Sequence, residues 1–288
     1  MKRILSMLLC LLLCGAACAE SARPLPVPSE VGEAAALAEV LSRHDSVTMY
    51  SCLTDYATGE EDVRETSVHY TRNGTGVTMV SSNAAGSIVY DGENCCMIDV
   101  AGSVGMFLSF DGSLNEYYDA LISEEAFYVP APDERVESCV RDGDEFILRT
   151  RLPHSSYADT NGTSFDLEDE VELLYVLTLD VYTLDLKTLS LYACPISGVE
   201  LPLIDCSFTY DEPALPEEYL SAVDPLATRN VLVTPTEGEP VSFVLAEGVT
   251  PIFVLPDGMK PVFADGTAYS EETCPLTGDL ELMLVSEE

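Results

Sequence analysis

Positive charge is scarce in this chain of 288 residues: 13 Lys and Arg residues stand against 50 Asp and Glu residues, a formal net charge of −37 at pH 7. An electrostatic field of this sign repels nucleic acid and anionic membrane surfaces. It also argues against an acidic macromolecular substrate. The acidic residues are scattered along the chain, which is typical of a solvated surface. The composition therefore predicts no nucleic-acid partner.

Tryptophan is absent, and the chain has three histidines, His44, His69 and His154. There is no His-Glu-x-x-His or Cys-x-x-Cys motif, so neither a zinc site nor a thioredoxin-type site is indicated. There is no Gly-x-Ser-x-Gly motif either, and the nearest run, residues 101–106, has the wrong spacing. We therefore expect no catalytic residue, no metal and no cofactor, and we predict that the protein is not an enzyme.

Two clusters of acidic residues, Asp142-Gly-Asp-Glu and Asp166-Leu-Glu-Asp-Glu, have oxygen ligands of the kind that calcium prefers. Neither follows the spacing of an EF-hand loop, so we interpret both as solvated turns.

A long apolar run occurs once, at the start of the chain. Lys2 and Arg3 precede the apolar residues Ile4–Cys14, and Ala17-Cys18-Ala19 follows with the pattern that signal peptidase recognises. Residues 1–19 are thus predicted to be a secretory signal peptide cleaved after Ala19; the alternative is a lipoprotein with Cys18 as the lipidated residue. No later run is long enough to span a membrane as a helix. We expect an exported protein, extracellular or in the cell envelope.

Cleavage would remove three of the ten cysteines and leave an odd number. An odd number in an exported protein leaves at least one free thiol or an intermolecular bond. Cys194 and Cys206 flank a loop and could form a disulfide across a hairpin. The alternative is that most of these cysteines are small, buried and reduced. The remaining seven are Cys52, Cys95, Cys96, Cys139, Cys194, Cys206 and Cys274.

Residues 20–28 form a proline-rich leader that we expect to be extended and mobile. Ser29 is then a candidate helix N-cap. Leu37, Val40 and Leu41 recur at helical spacing, so the sequence predicts one amphipathic helix that ends near His44.

After this helix the pattern is that of β-strands. Alternating runs are separated by Asn-Gly or Asp-Gly at 73–74, 91–92 and 142–143, which are strong hairpin signals. Residues 29–223 are predicted to form a mainly β (α+β) domain of eight to ten strands. Neighbouring strands pair in a large antiparallel sheet, curved into a half-barrel with the helix in its concave side. Residues 229–288, with five short strands between Gly turns, are predicted to be a small, separate all-β domain.

Four aromatic residues, Tyr117, Tyr118, Phe127 and Tyr128, cluster near residues 114–122, which we interpret as a short helix or lid. Such a cluster belongs either to a core or to the lining of a cavity. They are the candidate ligand-binding residues.

Three features of residues 29–223 resemble the LolA/LolB-type lipoprotein carriers and the related LppX/LprG and RseB-like domains. The helix at 30–43 runs directly into the strand at 46–56. The run Ser87–Ile98 resembles the strand–Asp-Gly–strand hairpin of that family. Tyr175–Tyr192, followed by Phe208-Thr-Tyr, resembles its paired C-terminal strands.

The resemblance implies a half-open curved sheet, plugged by helices, that holds acyl chains. It favours a carrier-like binding module for a lipid or the acyl chain of a lipoprotein. The alternative is an interaction or sensory protein of the cell envelope, in which the same fold is filled and an envelope protein is the partner.

Overall fold

The computed structural model describes residues 23–55, 62–74, 76–109, 128–161, 167, 171–195, 198–212, 227–256, 258–270 and 275–287. The fold is mainly β. Its helices are α1 (Pro28–Ala35), α2 (Leu37–Arg43) and α3 (His154–Asn161). The strands that follow α2 are β1 (Ser46–Asp55), β2 (Asp62–Asn73), β3 (Gly76–Asn83), β4 (Gly86–Tyr90), β5 (Cys95–Asp99), β6 (Val104–Ser109), β7 (Arg135–Asp142), β8 (Glu145–Pro153), β9 (Glu172–Asp180), β10 (Leu186–Cys194) and β11 (Leu201–Tyr210). The last five are β12 (Thr228–Thr234), β13 (Val241–Ala246), β14 (Thr250–Val254), β15 (Met259–Val262) and β16 (Leu280–Ser286).

Twelve of these strands form one open sheet in the order β14-β6-β5-β4-β3-β2-β1-β11-β10-β9-β8-β7. Its pairs are antiparallel apart from β14 and β6, which are parallel. The predicted hairpins at the Asn-Gly and Asp-Gly turns are confirmed as β2–β3, β4–β5 and β7–β8.

The large sheet is strongly curved, as the sequence predicts. Cys95 on β5 and Phe146 on β8 belong to the same hydrophobic core, although eight strand-to-strand steps separate them. In a flat sheet these steps would span about 38 Å, at roughly 4.8 Å each. Curvature instead brings both halves of the sheet around a common core, to which the helices contribute Val31, Ala35, Leu37, Val40 and Leu41.

The predicted single helix is two helices, and the expectation of one was wrong. The chain leaves helical geometry at Ala36, where ψ is 132°. The guanidinium of Arg43 donates a hydrogen bond to the carbonyl oxygen of Ala34 at 2.8 Å, which satisfies a backbone group that the break exposes. The N-cap prediction at Ser29 was also wrong: the helix begins at Pro28, and the N–H of Val27 donates to the side chain of Glu30.

The leader was expected to be mobile, but its described part, residues 23–27, is held against the sheet. The guanidinium of Arg23 donates hydrogen bonds to the carbonyl oxygens of Val181 and Tyr182, in the turn between β9 and β10. The five residues are not helical, in line with the predicted extended conformation.

The C-terminal region forms the predicted short strands, but it is tied to the large sheet. Strands β13, β12, β16 and β15 make a separate sheet of four strands. Strand β14 instead pairs with β6, and Leu108 of β6 packs in the same small core as Val231 and Phe253. The two regions therefore share a strand pair and a core. No helix among the described residues is long and apolar enough to cross a membrane.

The six described cysteines are free. Of the two alternatives, the disulfide between Cys194 and Cys206 is not formed: Cys206 lies opposite Leu189 on β10, five residues before Cys194. Cys274 lies outside the described residues.

Candidate functional site

The first half of the sheet, β1 to β6, presents its concave face as rows of directly paired residues. One row, composed of Val47, Tyr70, Met79, Tyr90 and Cys95, crosses five strands. Each of these side chains is at most 4% exposed. This row is therefore part of the closed core.

The next row along the strands has four apolar residues and one serine, and all of its members except the buried Val68 are less covered. It is composed of Met49, Val68, Ser81, Ile88 and Met97, each opposite the next. Met97 is 40% exposed, and Met49 and Ile88 are partly exposed. We call this set the middle row.

The third row is polar and forms the rim. Ser51, Thr66, Asn83, Gly86 and Asp99 are again cross-strand partners. Asn83 is exposed and the other four are partly exposed. The concave face of β1–β5 thus changes over three rows, from buried and apolar, through mainly apolar and partly exposed, to polar.

The other half of the sheet has no such gradient. Leu189, Leu177 and Leu148 continue the rim row across β10, β9 and β8, and they are 5%, 0% and 0% exposed. In this half of the sheet, buried leucine side chains thus occupy the row that is polar and partly exposed on β1–β5.

A wall at one side of the middle row comes from both regions of the chain. Met97 lies opposite Gly105 on β6, and Phe107 of β6 lies opposite Ile252 of β14. A methyl group on Gly105 would lie 2.5 Å from Cδ1 of Ile252, so glycine allows this side chain to fold over β6. We define the middle row together with Phe107 and Ile252 as the open concave region.

Tyr128, one of the four predicted ligand-binding residues, lies in the core and is 1% exposed. Its ring packs edge-on against Tyr175 at a centroid distance of 5.2 Å, and its hydroxyl donates to Glu134. Burial and Glu134 raise its pKa, so it is a neutral phenol. Tyr117, Tyr118, Phe127 and the predicted lid at 114–122 lie outside the described residues, as does Cys18.

His69, one of the three histidines, lies on the convex face of the sheet. Its Nδ1 is 2.6 Å from Thr48 Oγ1, and its Nε2 is 2.9 Å from Thr71 Oγ1. Burial lowers the pKa of His69, which favours the neutral ring. Both Thr48 and His69 are buried, so the arrangement acts as an internal hydrogen-bond chain.

Four of the described thiols, those of Cys96, Cys139, Cys194 and Cys206, are poor nucleophiles. Burial raises the pKa of Cys96 to about 11 and that of Cys206 to about 12. Burial also raises the pKa of Cys139 and Cys194. The reactive form of cysteine is the thiolate, so these side chains behave as small apolar groups at neutral pH.

Among the residues that the structure describes, no group of His, Cys, Asp or Glu is arranged to hold a metal ion. Asp142-Gly-Asp-Glu forms the tip of the β7–β8 hairpin, where Glu145 pairs with Lys187 at 3.0 Å. Most of the second acidic cluster, Asp166-Leu-Glu-Asp-Glu, lies outside the described residues.

Neither the family models nor the curated proteins contain a match to this sequence. Solved structures do resemble the chain. The lipoprotein LppX of Mycobacterium tuberculosis is 13% identical with a TM-score of 0.36, over 66% of this chain and 99% of LppX. LprF of Mycobacterium bovis is 8% identical with a TM-score of 0.35, over 67% of this chain and 97% of LprF. A LolA superfamily protein of Nitrosomonas europaea is 13% identical with a TM-score of 0.25, over 67% of this chain and 96% of that protein.

These similarities concern the fold. LppX and the LolA group are also proteins that the sequence pattern of residues 29–223 resembles. The open concave region itself was missed in the sequence, because its members lie on seven strands, β1 to β6 and β14, and one of them, Ile252, comes from the C-terminal region. The apolar runs of β4 and β5 indicate strands, but they show neither which face is concave nor how much of it stays open.

Proposed function

We propose that this protein is an exported, non-enzymatic binding protein of the cell envelope, whose ligand is a lipid or the acyl chain of a lipoprotein. The ligand lies in the open concave region. The observation that carries the proposal is the exposure of the middle row: Met97, Ile88 and Met49 remain accessible on a face whose other half is sealed by Leu148 and Leu177.

An acyl chain matches the chemistry of this region. Covering apolar surface stabilises a complex by roughly 25 cal/mol per Å² of area removed from water. The polar rim, with Ser51, Thr66 and Asn83, leaves the polar end of such a ligand in contact with hydrogen-bonding groups. The net charge of −37 disfavours anionic head groups, so we expect uncharged or weakly charged lipids to bind best.

The second candidate is an interaction or sensory protein with a filled core. It is favoured by the half of the sheet over β8–β10, where Phe146, Leu152, Leu173 and Leu179 are fully buried. A protein of this kind would bind an envelope partner through its surface and take up no lipid.

A pair of matched variants separates the two candidates. Met97 and Met283 are equally exposed, at 40% and 39%, but Met283 lies on the separate four-stranded sheet. We expect Met97→Asp to abolish uptake of a fluorescent, uncharged monoacyl lipid, because a carboxylate beside the acyl chain has to be desolvated. Met283→Asp should bind as the unchanged protein does.

Native mass spectrometry of the gently purified protein provides the second readout. Bound lipid should appear with the unchanged protein and with Met283→Asp, and be lost with Met97→Asp. A protein that carries no lipid and takes up no probe would contradict the proposal and favour the filled-core candidate. Equal losses in both variants would also contradict it.

The mode of attachment at the envelope is a separate proposal. Cleavage after Ala19 leaves a soluble product, whereas lipidation at Cys18 adds acyl chains to the new N-terminus. The intact mass of the exported protein distinguishes these: we expect the mass of the chain from Glu20 onward. A mass increased by acyl groups on Cys18 would contradict this expectation.

A further inference from the structure

His44 joins the helix pair to the sheet through two carboxylates. The ring lies directly after α2. Its Nε2 is 2.9 Å from Oδ2 of Asp185, in the turn that leads into β10. Its Nδ1 is 3.0 Å from Oδ2 of Asp211, which directly follows β11. One side chain thus connects the end of the helices with two separate points on the sheet.

The two contacts require two protons on the ring. An ionised carboxylate only accepts hydrogen bonds, and a neutral imidazole has a single N–H to donate. Both bonds of His44 are therefore made when the ring is an imidazolium. Burial lowers the pKa of His44, but the hydrogen bonds that the ring donates to Asp211 and Asp185 outweigh it and raise the pKa above 6.5.

The charged groups around His44 hold the two carboxylates in place. Oδ1 of Asp185 accepts a hydrogen bond from Arg43 at 2.8 Å, and this aspartate is 6% exposed. Oδ1 of Asp211 accepts from the backbone N–H of Asp45 at 2.8 Å. The ring of Tyr210 lies 4.5 Å from that of His44, and the side chain of Asp45 is itself paired with Arg72.

We propose that His44, Asp185 and Asp211 form a proton-operated clamp that holds the α1–α2 helix pair more tightly on the sheet in acid than at alkaline pH. The inference is independent of whether a lipid binds. When the ring loses a proton, one ring nitrogen still carries an N–H and keeps its hydrogen bond. The other ring nitrogen then points a lone pair at its carboxylate, and that hydrogen bond is lost. Arg43 continues to hold Asp185, so the clamp loosens at Asp211 first.

The direction of the pH dependence follows from linkage. The folded state binds the proton of His44 more tightly than the unfolded state, whose ordinary pKa is 6.5. The added stability is fully present below pH 6.5 and is lost as the pH rises through the raised value of the folded protein. Helices α1 and α2 should then separate from the sheet more often.

Proton NMR of the histidine rings and hydrogen exchange of residues 28–43 test the clamp on the full exported chain. Three histidines make the ring signals easy to assign with single variants. We expect His44 to titrate above 6.5 and to shift toward 6.5 in Asp211→Asn. After correction for the intrinsic exchange rate, the opening equilibrium of the helix amides should be roughly three- to tenfold larger at pH 8.5 than at pH 5.5. A factor of this size corresponds to the loss of one charge-assisted hydrogen bond at a partly exposed site.

His44→Gln and His69→Gln are the matched pair. Glutamine at position 44 carries no titrating charge, so the pH dependence of the helix amides should disappear. The same replacement at His69, on the convex face, should leave it intact. Titration of His44 at or below 6.5, or the same pH dependence in His44→Gln as in the unchanged protein, would overturn the proposal.

Discussion

Replacing Leu177 by Ala tests the difference between the sealed half of the sheet and the open one. Leu177 is fully buried and lies between Leu148 of β8 and Leu189 of β10. The change removes three carbon atoms, each contributing roughly 0.8 kcal/mol of burial. The cavity left behind adds to the loss, so the free energy of unfolding should fall by about 3 kcal/mol. Met97→Ala, at 40% exposure, should cost less than about 1 kcal/mol.

Urea unfolding, followed by far-UV circular dichroism at constant pH, measures both changes. The slopes should agree between the variants, so that the midpoints report stability. Uptake of the fluorescent lipid by Leu177→Ala below its unfolding transition should stay close to that of the unchanged protein. Equal costs for the two variants, or a cost below about 1 kcal/mol for Leu177→Ala, would refute the contrast between a filled and an open half.

Three other changes follow from single contacts. Gly32→Ala places a methyl group 2.5 Å from Cδ of Pro130, so we expect about 1–3 kcal/mol of destabilisation. A thermal melt measures this loss, and an unchanged Tm would contradict the close packing of Gly32 against Pro130. Because burial lowers the pKa of His69 below 6.5, the unfolded state takes up the proton first, and stability falls as the pH drops below 6.5. Urea midpoints at pH 7.5 and 5.5 should show this loss reduced in His69→Gln. Leu108→Asp puts a charge into the core shared by β6 and the C-terminal region, so limited proteolysis should cut residues 227–287 faster than in the unchanged protein.

The antiparallel hairpins could be predicted from the sequence because their signals are local. Asn73-Gly74, Asp91-Gly92 and Asp142-Gly143 mark turns whose flanking runs pair with each other. Strand β6 was missed, since Gly105 interrupts its pattern. The break at Ala36 has no proline or glycine to mark it, and the hydrogen bond that Arg43 donates to the carbonyl oxygen of Ala34 joins residues nine positions apart.

The pairing of β14 with β6 could not be read from local patterns, since the two strands are more than 140 residues apart and parallel. This pairing places Ile252 beside Phe107, so the composition of the open concave region depends on it. The same limit applies to the clamp. His44 could be placed at the end of a helix, but Asp185 and Asp211 meet it only through the register of β9, β10 and β11.

Methionine methyl NMR tests the lipid site most directly, because methionines lie on each surface in question. Met49, Met79 and Met97 are on the concave face, whereas Met106, Met259 and Met283 pack with or lie on the C-terminal sheet. We predict that a spin-labelled, uncharged acyl lipid broadens the signals of Met97 and Met49 and leaves that of Met283 sharp. Broadening of Met283 as strong as that of Met97, or no broadening at saturating lipid, would contradict a ligand site in the open concave region.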